Sequence, residues 1–408
     1  MKNIKIKLIF IFFLIIFIVF SPFLSFFKQN ITSNTAFATN ETQNETQEEI
    51  QNEISSQLNK LNFENIEKLL DNLEKTGKQV FMNESFLDKV KTILSGEVTD
   101  NANDFFDIIV NVLFKNISSY IPIVATVIAV AVMGGMIENL KPMSNGKSIS
   151  NIVHFVTYGF IVVLLGSTLV SMIKMTGDTI NTINNQMEII FPILLTMLTA
   201  IGGTVSVSVY QPTFALISKI ILSIFNYVLM PIFIFSIVFS LVSNMSNNIK
   251  LEKFIKFFNS LFKWTIGFIF TIFIGFASLQ GISAITVDGL SIRTAKFVIK
   301  SYIPILGNYV SDGFNIILAS SVLIKNALGV AGLFLIFATI ISPIIELIIF
   351  MLALKLIAAI IEPLGDKKIA SFVSDISKNM SMLVALIVGV SFMYIILVGL
   401  VMCSANLG

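Results

Sequence analysis

The sequence predicts an all-α, polytopic membrane protein, and three observations carry that prediction. Of its 408 residues, 55% are hydrophobic and 13% charged, with a mean hydropathy of +0.86, whereas soluble domains carry nearer ~25% charge. Apolar runs of about 20 residues, enough for a helix to cross ~30 Å of hydrocarbon, recur from residue 117 to residue 403. The chain also opens as an export signal does: a basic flank (Lys2, Lys5, Lys7), an apolar run over 8–27, and Ala36-Phe37-Ala38.

Residues 1–38 therefore read as a signal peptide or, because the apolar run is itself long enough to span, as an uncleaved anchor. Either reading puts residues 39–116 outside the cytoplasm. This region opens with a polar stretch, NETQNETQEE, too poor in apolar residues to fold alone. Apolar residues then recur at spacings of three and four: Ile50, Ile54, Leu58 and Leu61, followed by Ile66, Leu69, Leu70 and Leu73. That spacing lines one face of a helix. Gly77 and Gly96 are expected breaks on either side of a second short amphipathic element bearing Phe81, Phe86, Val90, Ile93 and Leu94. The region is read as a small helical cap or a docking surface.

The membrane domain covers 117–403, before a tail at 404–408, with about seven or eight membrane segments. Candidate spans are 117–137, 152–173, 188–209, 214–242, 264–285, 316–341, 344–361 and 380–403. The run 214–242 is too long for an upright span and contains Pro231, so tilting or kinking is expected. The run 188–209 contains Pro192 and Gly202-Gly203 and is expected to be broken or re-entrant. A re-entrant 188–209 places Lys141 and Lys147, and also Lys250, Lys253, Lys256 and Lys263, in the cytoplasm, as the positive-inside rule prefers. Residues 251–264 then read as a basic amphipathic helix on the cytoplasmic membrane surface, with Phe254, Phe257, Phe258, Leu261 and Phe262 in lipid.

A shift of 112 positions aligns Gly177 with Gly289, Thr182 with Thr294, Pro192-Ile193-Leu194 with Pro304-Ile305-Leu306, and Pro231-Ile232 with Pro343-Ile344. With only 9 prolines in the chain, two matching pairs suggest an internal repeat, 151–260 against 263–372. Such repeats with discontinuous helices build many transporters.

The residues offer no catalytic constellation: P-loop, H-E-x-x-H and G-x-S-x-G patterns are all missing. The chain is read as a non-enzyme, with no cofactor and no metal. A net charge of +2 without a basic cluster excludes a nucleic-acid partner and leaves the lipid bilayer as the evident one. A lone cysteine, Cys403, excludes an internal disulfide, and the single histidine, His154, lies on an apolar helix without ligand-spaced companions.

Ionisable residues within apolar runs carry more information, because each costs ~2.5–3.5 kcal/mol at a helix centre. Lys219, Lys325, Glu346 and Lys355 are of this kind. Lys219 and Lys325 can snorkel to an interface. Glu346, with apolar residues on both sides, calls for an internal partner such as Lys325 or Lys355. The stretch 286–315 sets Asp288, Arg293, Lys296, Lys300, Asp312 and Asn315 among apolar residues, so it reads as an interfacial, cavity-lining or subunit-contact segment.

That stretch belongs to a block, residues 280–326, that resembles the stage III sporulation protein AE family of endospore-forming bacteria. The matching positions are Gln280-Gly281, Asp288-Gly289, Arg293-Thr294-Ala295-Lys296-Phe297, Pro304, Gly307, Asp312, Leu323 and Lys325-Asn326. Gly202-Gly203 and Glu362-Pro363-Leu364-Gly365 extend the likeness, while the Asn- and Gln-rich N-terminal region departs from it. The resemblance implies a multi-pass protein of the mother-cell membrane around the forespore. It further implies partnership with the other stage III sporulation A-operon membrane proteins, joined indirectly to stage II sporulation protein Q of the forespore in a channel or secretion-like conduit. No catalytic residue follows from it. The candidate assembly or pore residues are Gln280, Asp288, Arg293, Lys296, Asp312, Lys325 and Glu346. The repeat and the charges within apolar runs leave a second reading open, a stand-alone secondary transporter or permease.

Overall fold

The computed structural model describes residues 43–404 apart from 74, 82, 96–101, 140–145, 246–250, 303–306, 365 and 366. Side chains at 43–47, 76, 102–107, 138–139, 146–151, 280–312, 314 and 364 lie outside the description, as does the expected signal at 1–38. Among the described residues every regular element is helical.

Four short helices come first: α1 (Gln43–Lys60), α2 (Glu64–Asp71), α3 (Lys75–Val80) and α4 (Phe86–Ser95). Their apolar stripes converge on Leu58, Ile66, Leu70, Phe81, Phe86, Val90 and Ile93, all buried. The Phe86 ring lies 5.8 Å from Phe63 and 6.3 Å from Phe81. Local capping fixes α4. Ser85 Oγ accepts the Asp88 N–H at 3.0 Å and donates to the Asp88 carboxylate at 2.7 Å, while Glu67 of α2 accepts the Phe86 N–H at 2.8 Å. Two of the donors that a helix start leaves open are thereby satisfied. Gly77, expected as a break, instead sits inside α3, where a Cβ would lie 2.7 Å from the Ala338 carbonyl oxygen. Its missing side chain serves close helix approach rather than a turn.

Six long apolar helical paths follow: α5 (Ala102–Asn139), α6 (Gly146–Ala200), α7 (Thr204–Ile224) continuing through a π-helical turn (Phe225–Leu229) into α8 (Met230–Met245), α9 (Glu252–Tyr302), α10 (Gly307–Leu364) and α11 (Lys367–Cys403). Among the described residues the eight expected spans thus fall on six long helical paths. Runs 316–341 and 344–361 fuse into α10, which has 58 residues and is about 87 Å long at 1.5 Å per residue. Pro343 does not interrupt it, and α5 passes without a break through the domain boundary expected at 116.

The break expected within 188–209 is present, at its Gly202-Gly203 pair rather than at Pro192. Pro192 lies within α6, which ends in a Schellman turn: Gly202 has φ 93, its N–H reaches the Thr199 carbonyl at 2.9 Å, and the Gly203 N–H reaches that of Leu198 at 2.9 Å. Gly202 takes the left-handed position that a side chain would strain. The irregularity expected at Pro231 is the π-turn just before it. Proline lacks the N–H that would bond the carbonyl four residues back, and a π-turn accommodates that loss.

Side chains facing away from the protein mark the lipid-contacting stretches. On α6 they are Ile152, Phe155, Val156, Phe160, Val163 and Val170, a rise of about 27 Å that matches ~30 Å of hydrocarbon. Beyond this, the same helix exposes Ser171, Lys174, Asp178, Asn181, Asn185 and Glu188, so its second half leaves the apolar layer. The start of α9 corrects the expected surface helix. Phe262 is 1% exposed and Phe258 stacks on Phe239 at 5.3 Å, as does Phe254 at 5.5 Å. Phe254, Phe257 and Trp264 still face outward as expected, while α8 lies against the rest of that aromatic face.

Helix α10 is the axis of the assembly, packing against α1, α3, α4, α5, α6, α9 and α11. Of the paired Pro192 and Pro304 of the suggested repeat, the first lies within α6 and the second is outside the described residues.

Candidate functional site

Lys325 and Glu346 are the two candidate residues whose side chains the structure describes. Both lie on α10. Lys325 is fully buried, and its ammonium donates to the backbone carbonyl of Ser404, just past the end of α11. The Ser404 hydroxyl bonds the Leu400 carbonyl at 2.8 Å and meets the Tyr210 hydroxyl at 2.8 Å. Snorkelling is therefore not what Lys325 does: it ties α10 to the terminal turn of α11, where helix-end carbonyls are open to a cation.

Glu346 accepts the Tyr120 hydroxyl of α5 at 3.0 Å, and the Tyr120 ring lies 5.4 Å from Phe350. The expected partners are out of reach. Lys325 lies about 31 Å away along the helix, and Lys355 about 13.5 Å along and half a turn round. Lys355 and Lys219 are exposed.

Between these residues runs a set of polar contacts, mostly between amides and hydroxyls, that the sequence reading did not single out. The Tyr394 hydroxyl of α11 donates to Asn184 Oδ1 of α6 at 2.5 Å, and Asn184 Nδ2 donates to Glu188 at 2.8 Å. Gln186, fully buried, donates to Thr339 Oγ1 at 2.6 Å, and that hydroxyl bonds the Leu335 carbonyl at 2.9 Å. Nearer the other end, Ser236 donates to Asn259 at 2.5 Å beside the buried Asn379. Buried amides and hydroxyls of this kind hold membrane helices in register, each worth ~0.6–2 kcal/mol.

Asp288, Arg293 and Lys296 fall on the last third of α9, Gln280 nearer its middle, and Asp312 on the first turns of α10; their side chains lie outside the described residues. The backbone places Asp288, Arg293, Lys296 and Asp312 at one end. Because Lys325 meets Ser404, residues 307–324 of α10 run about 27 Å past the end of α11, and α9 lies against α10. His154 is stacked on Tyr158 at 5.8 Å. Among the described residues no three His, Cys, Asp or Glu side chains gather as a metal would need.

This architecture defines a polytopic α-helical membrane protein organised around one long central helix. The family model for stage III sporulation protein AE matches residues 85–405, and the chain belongs to that family. Stage III sporulation protein AE of Bacillus subtilis (strain 168) is similar to it, 24% identical over 314 residues that cover 77% of this chain and 79% of the relative. The match begins at α4, so α1–α3 lie outside the family's matched core. No solved structure matches the chain.

Proposed function

We propose that the chain is a membrane subunit of a channel-forming or secretion-like complex between mother cell and forespore, with a structural rather than catalytic role. Family membership gives it a part in sporulation. The observation that supports the finer reading is the run of α10 past the end of α11 with α9 beside it. It carries Asp288, Arg293, Lys296 and Asp312 on backbone near the α9–α10 connection, past the end of α11. Charged residues on helix ends past α11 suit a contact with the other stage III sporulation A-operon membrane proteins, and through them with stage II sporulation protein Q. On this reading the protein sits in the mother-cell membrane around the forespore, with α1–α4 on the extracytoplasmic side after an export signal.

The test is purification of the tagged protein from sporulating cells, paired with Arg293→Lys. Co-purification of the other sporulation membrane proteins is expected. Loss of that association in Arg293→Lys, at unchanged membrane abundance, assigns the contact to the guanidinium fork that an ammonium cannot copy. Wild-type protein arriving alone would favour the stand-alone transporter.

A further inference from the structure

A cavity of about 330 Å³ lies where α2, α6 and α10 meet, lined by Asn72, Lys174, Asp178, Thr182, Thr339 and Pro343 among others. It begins one turn beyond Val170, the last outward apolar residue of the α6 lipid face, and so opens at the boundary between hydrocarbon and water. The volume is within the range of small-molecule sites.

Its chemistry is divided. Asp178 lies beside Thr179 and Thr182, whose hydroxyls donate back to the Met175 and Asp178 carbonyls at 2.7 and 2.8 Å. Those hydroxyls therefore turn only lone pairs outward. Across from them, Thr339 lies four residues before Pro343, and proline has no N–H to give its carbonyl. One end of the cavity is thus rich in acceptors around a carboxylate. The other end holds Lys174 and Ser171 as donors, one helical turn away.

Lys174 and Asp178 stand four apart on one helix face, close enough to pair. Among the described residues they do not pair with each other or with any other ion, and lysine preceding the acid is the weaker order for such a pair. Two opposite charges held apart on a polar cavity wall complement a ligand bearing the reverse pair.

We propose that this cavity binds a primary-ammonium zwitterion, its three N–H groups facing Asp178, Thr179, Thr182 and the Thr339 carbonyl, and its anion facing Lys174. Two sources share that chemistry: a free α-amino acid, and the phosphoethanolamine headgroup of a bilayer lipid. The ligand bridges Asn72, the C-cap of α2, to α6 and α10, and so fastens the short N-terminal helices to the membrane helices.

The test uses the full chain in detergent free of ethanolamine lipid, followed by thermal unfolding with added L-alanine, and in nanodiscs containing phosphatidylethanolamine, phosphatidylcholine or phosphatidylglycerol. Stabilisation by L-alanine identifies the free ligand; stabilisation by phosphatidylethanolamine alone among the lipids identifies the headgroup. Asp178→Asn and Lys174→Gln, both at exposed positions, are expected to weaken the effective probe at least tenfold, and Thr182→Val, which keeps the shape and removes an acceptor, by less. Stabilisation by neither probe overturns the proposal. So does equal stabilisation by phosphatidylcholine, whose ammonium has no N–H, or unchanged binding in both charge variants.

Discussion

Helices α9 and α10 are of similar length and both are apolar, yet they occupy opposite places in the protein. The most apolar window of α10 is 44% buried and that of α9 only 17%. Hydrophobicity does not set this difference, because lipid receives an apolar side chain as readily as a neighbouring helix does. Side-chain size does. On α10 the buried positions include Ser320, Ser321, Ala327, Ala331 and Ala338, and a Cβ on Gly332 would lie 3.1 Å from Ile190. Small residues let seven neighbours come close. On α9 the bulky Trp264, Phe268, Ile272 and Phe276 face outward, and a Cβ on Gly267 or Gly275 would meet nothing within 4 Å.

Truncation of one aromatic on each helix gives the largest expected contrast. Phe350→Ala in α10, where the ring is 1% exposed, is expected to cost about 3–5 kcal/mol through the cavity it leaves. Phe268→Ala in α9, 53% exposed, is expected to cost under ~1 kcal/mol, since lipid fills the gap. Thermal unfolding in one detergent compares them directly, and equal losses would break the distinction.

A smaller effect is expected at the contact between α3 and α10. Gly77→Ala pushes a methyl against a backbone carbonyl that cannot yield, an overpacking cost of about 1–3 kcal/mol. Limited proteolysis should then cut within α1–α4 faster while α11 stays protected; unchanged cleavage would mean that the contact is not close.

Tyr120→Phe deletes the hydroxyl donated to Glu346 and should cost about 1 kcal/mol. The double variant Tyr120→Phe with Glu346→Gln should lose less than the sum of the two single changes, as coupled neighbours do. Strict additivity would separate the two residues. Smallest of all, Gly267→Ala on the open face of α9 should be neutral or stabilising by up to ~1 kcal/mol through helix propensity, whereas destabilisation would reveal a partner on that face.

Helical class and membrane character were legible because apolar runs of bilayer length leave few alternatives. Their connectivity was not. Pro192 and Pro343 look like stops, yet both lie within continuous helices, because packed neighbours and local adjustment replace a missing backbone bond. The true turn at Gly202-Gly203 was marked by glycines able to take positive φ. In the candidate site, Lys325 and Glu346 stood out through the cost of charge in apolar surroundings. Their partners did not, since Tyr120 and Ser404 come from distant helices and neither carries a charge. Asn184 gave no signal in a chain so rich in Asn, and nothing set Gln186 apart from its polar neighbours Asn184 and Asn185.

The docking of α1–α4 on α10 also imposes an order in time. Ser321 of α10 bonds Gln57 of α1 at 2.9 Å, and Lys89 of α4 sits 5.3 Å above the Phe334 ring, but α10 is among the last helices to be made. From Ser95 to Ser321 is a stretch of about 226 residues, ~11–45 s of synthesis at ~5–20 residues per second. Through that interval the four short helices must stay folded on their own small core of Ile66, Phe86 and Val90, or be held by a chaperone. A ribosome paused before residue 307 would therefore leave them exposed to proteases, however sound the finished protein.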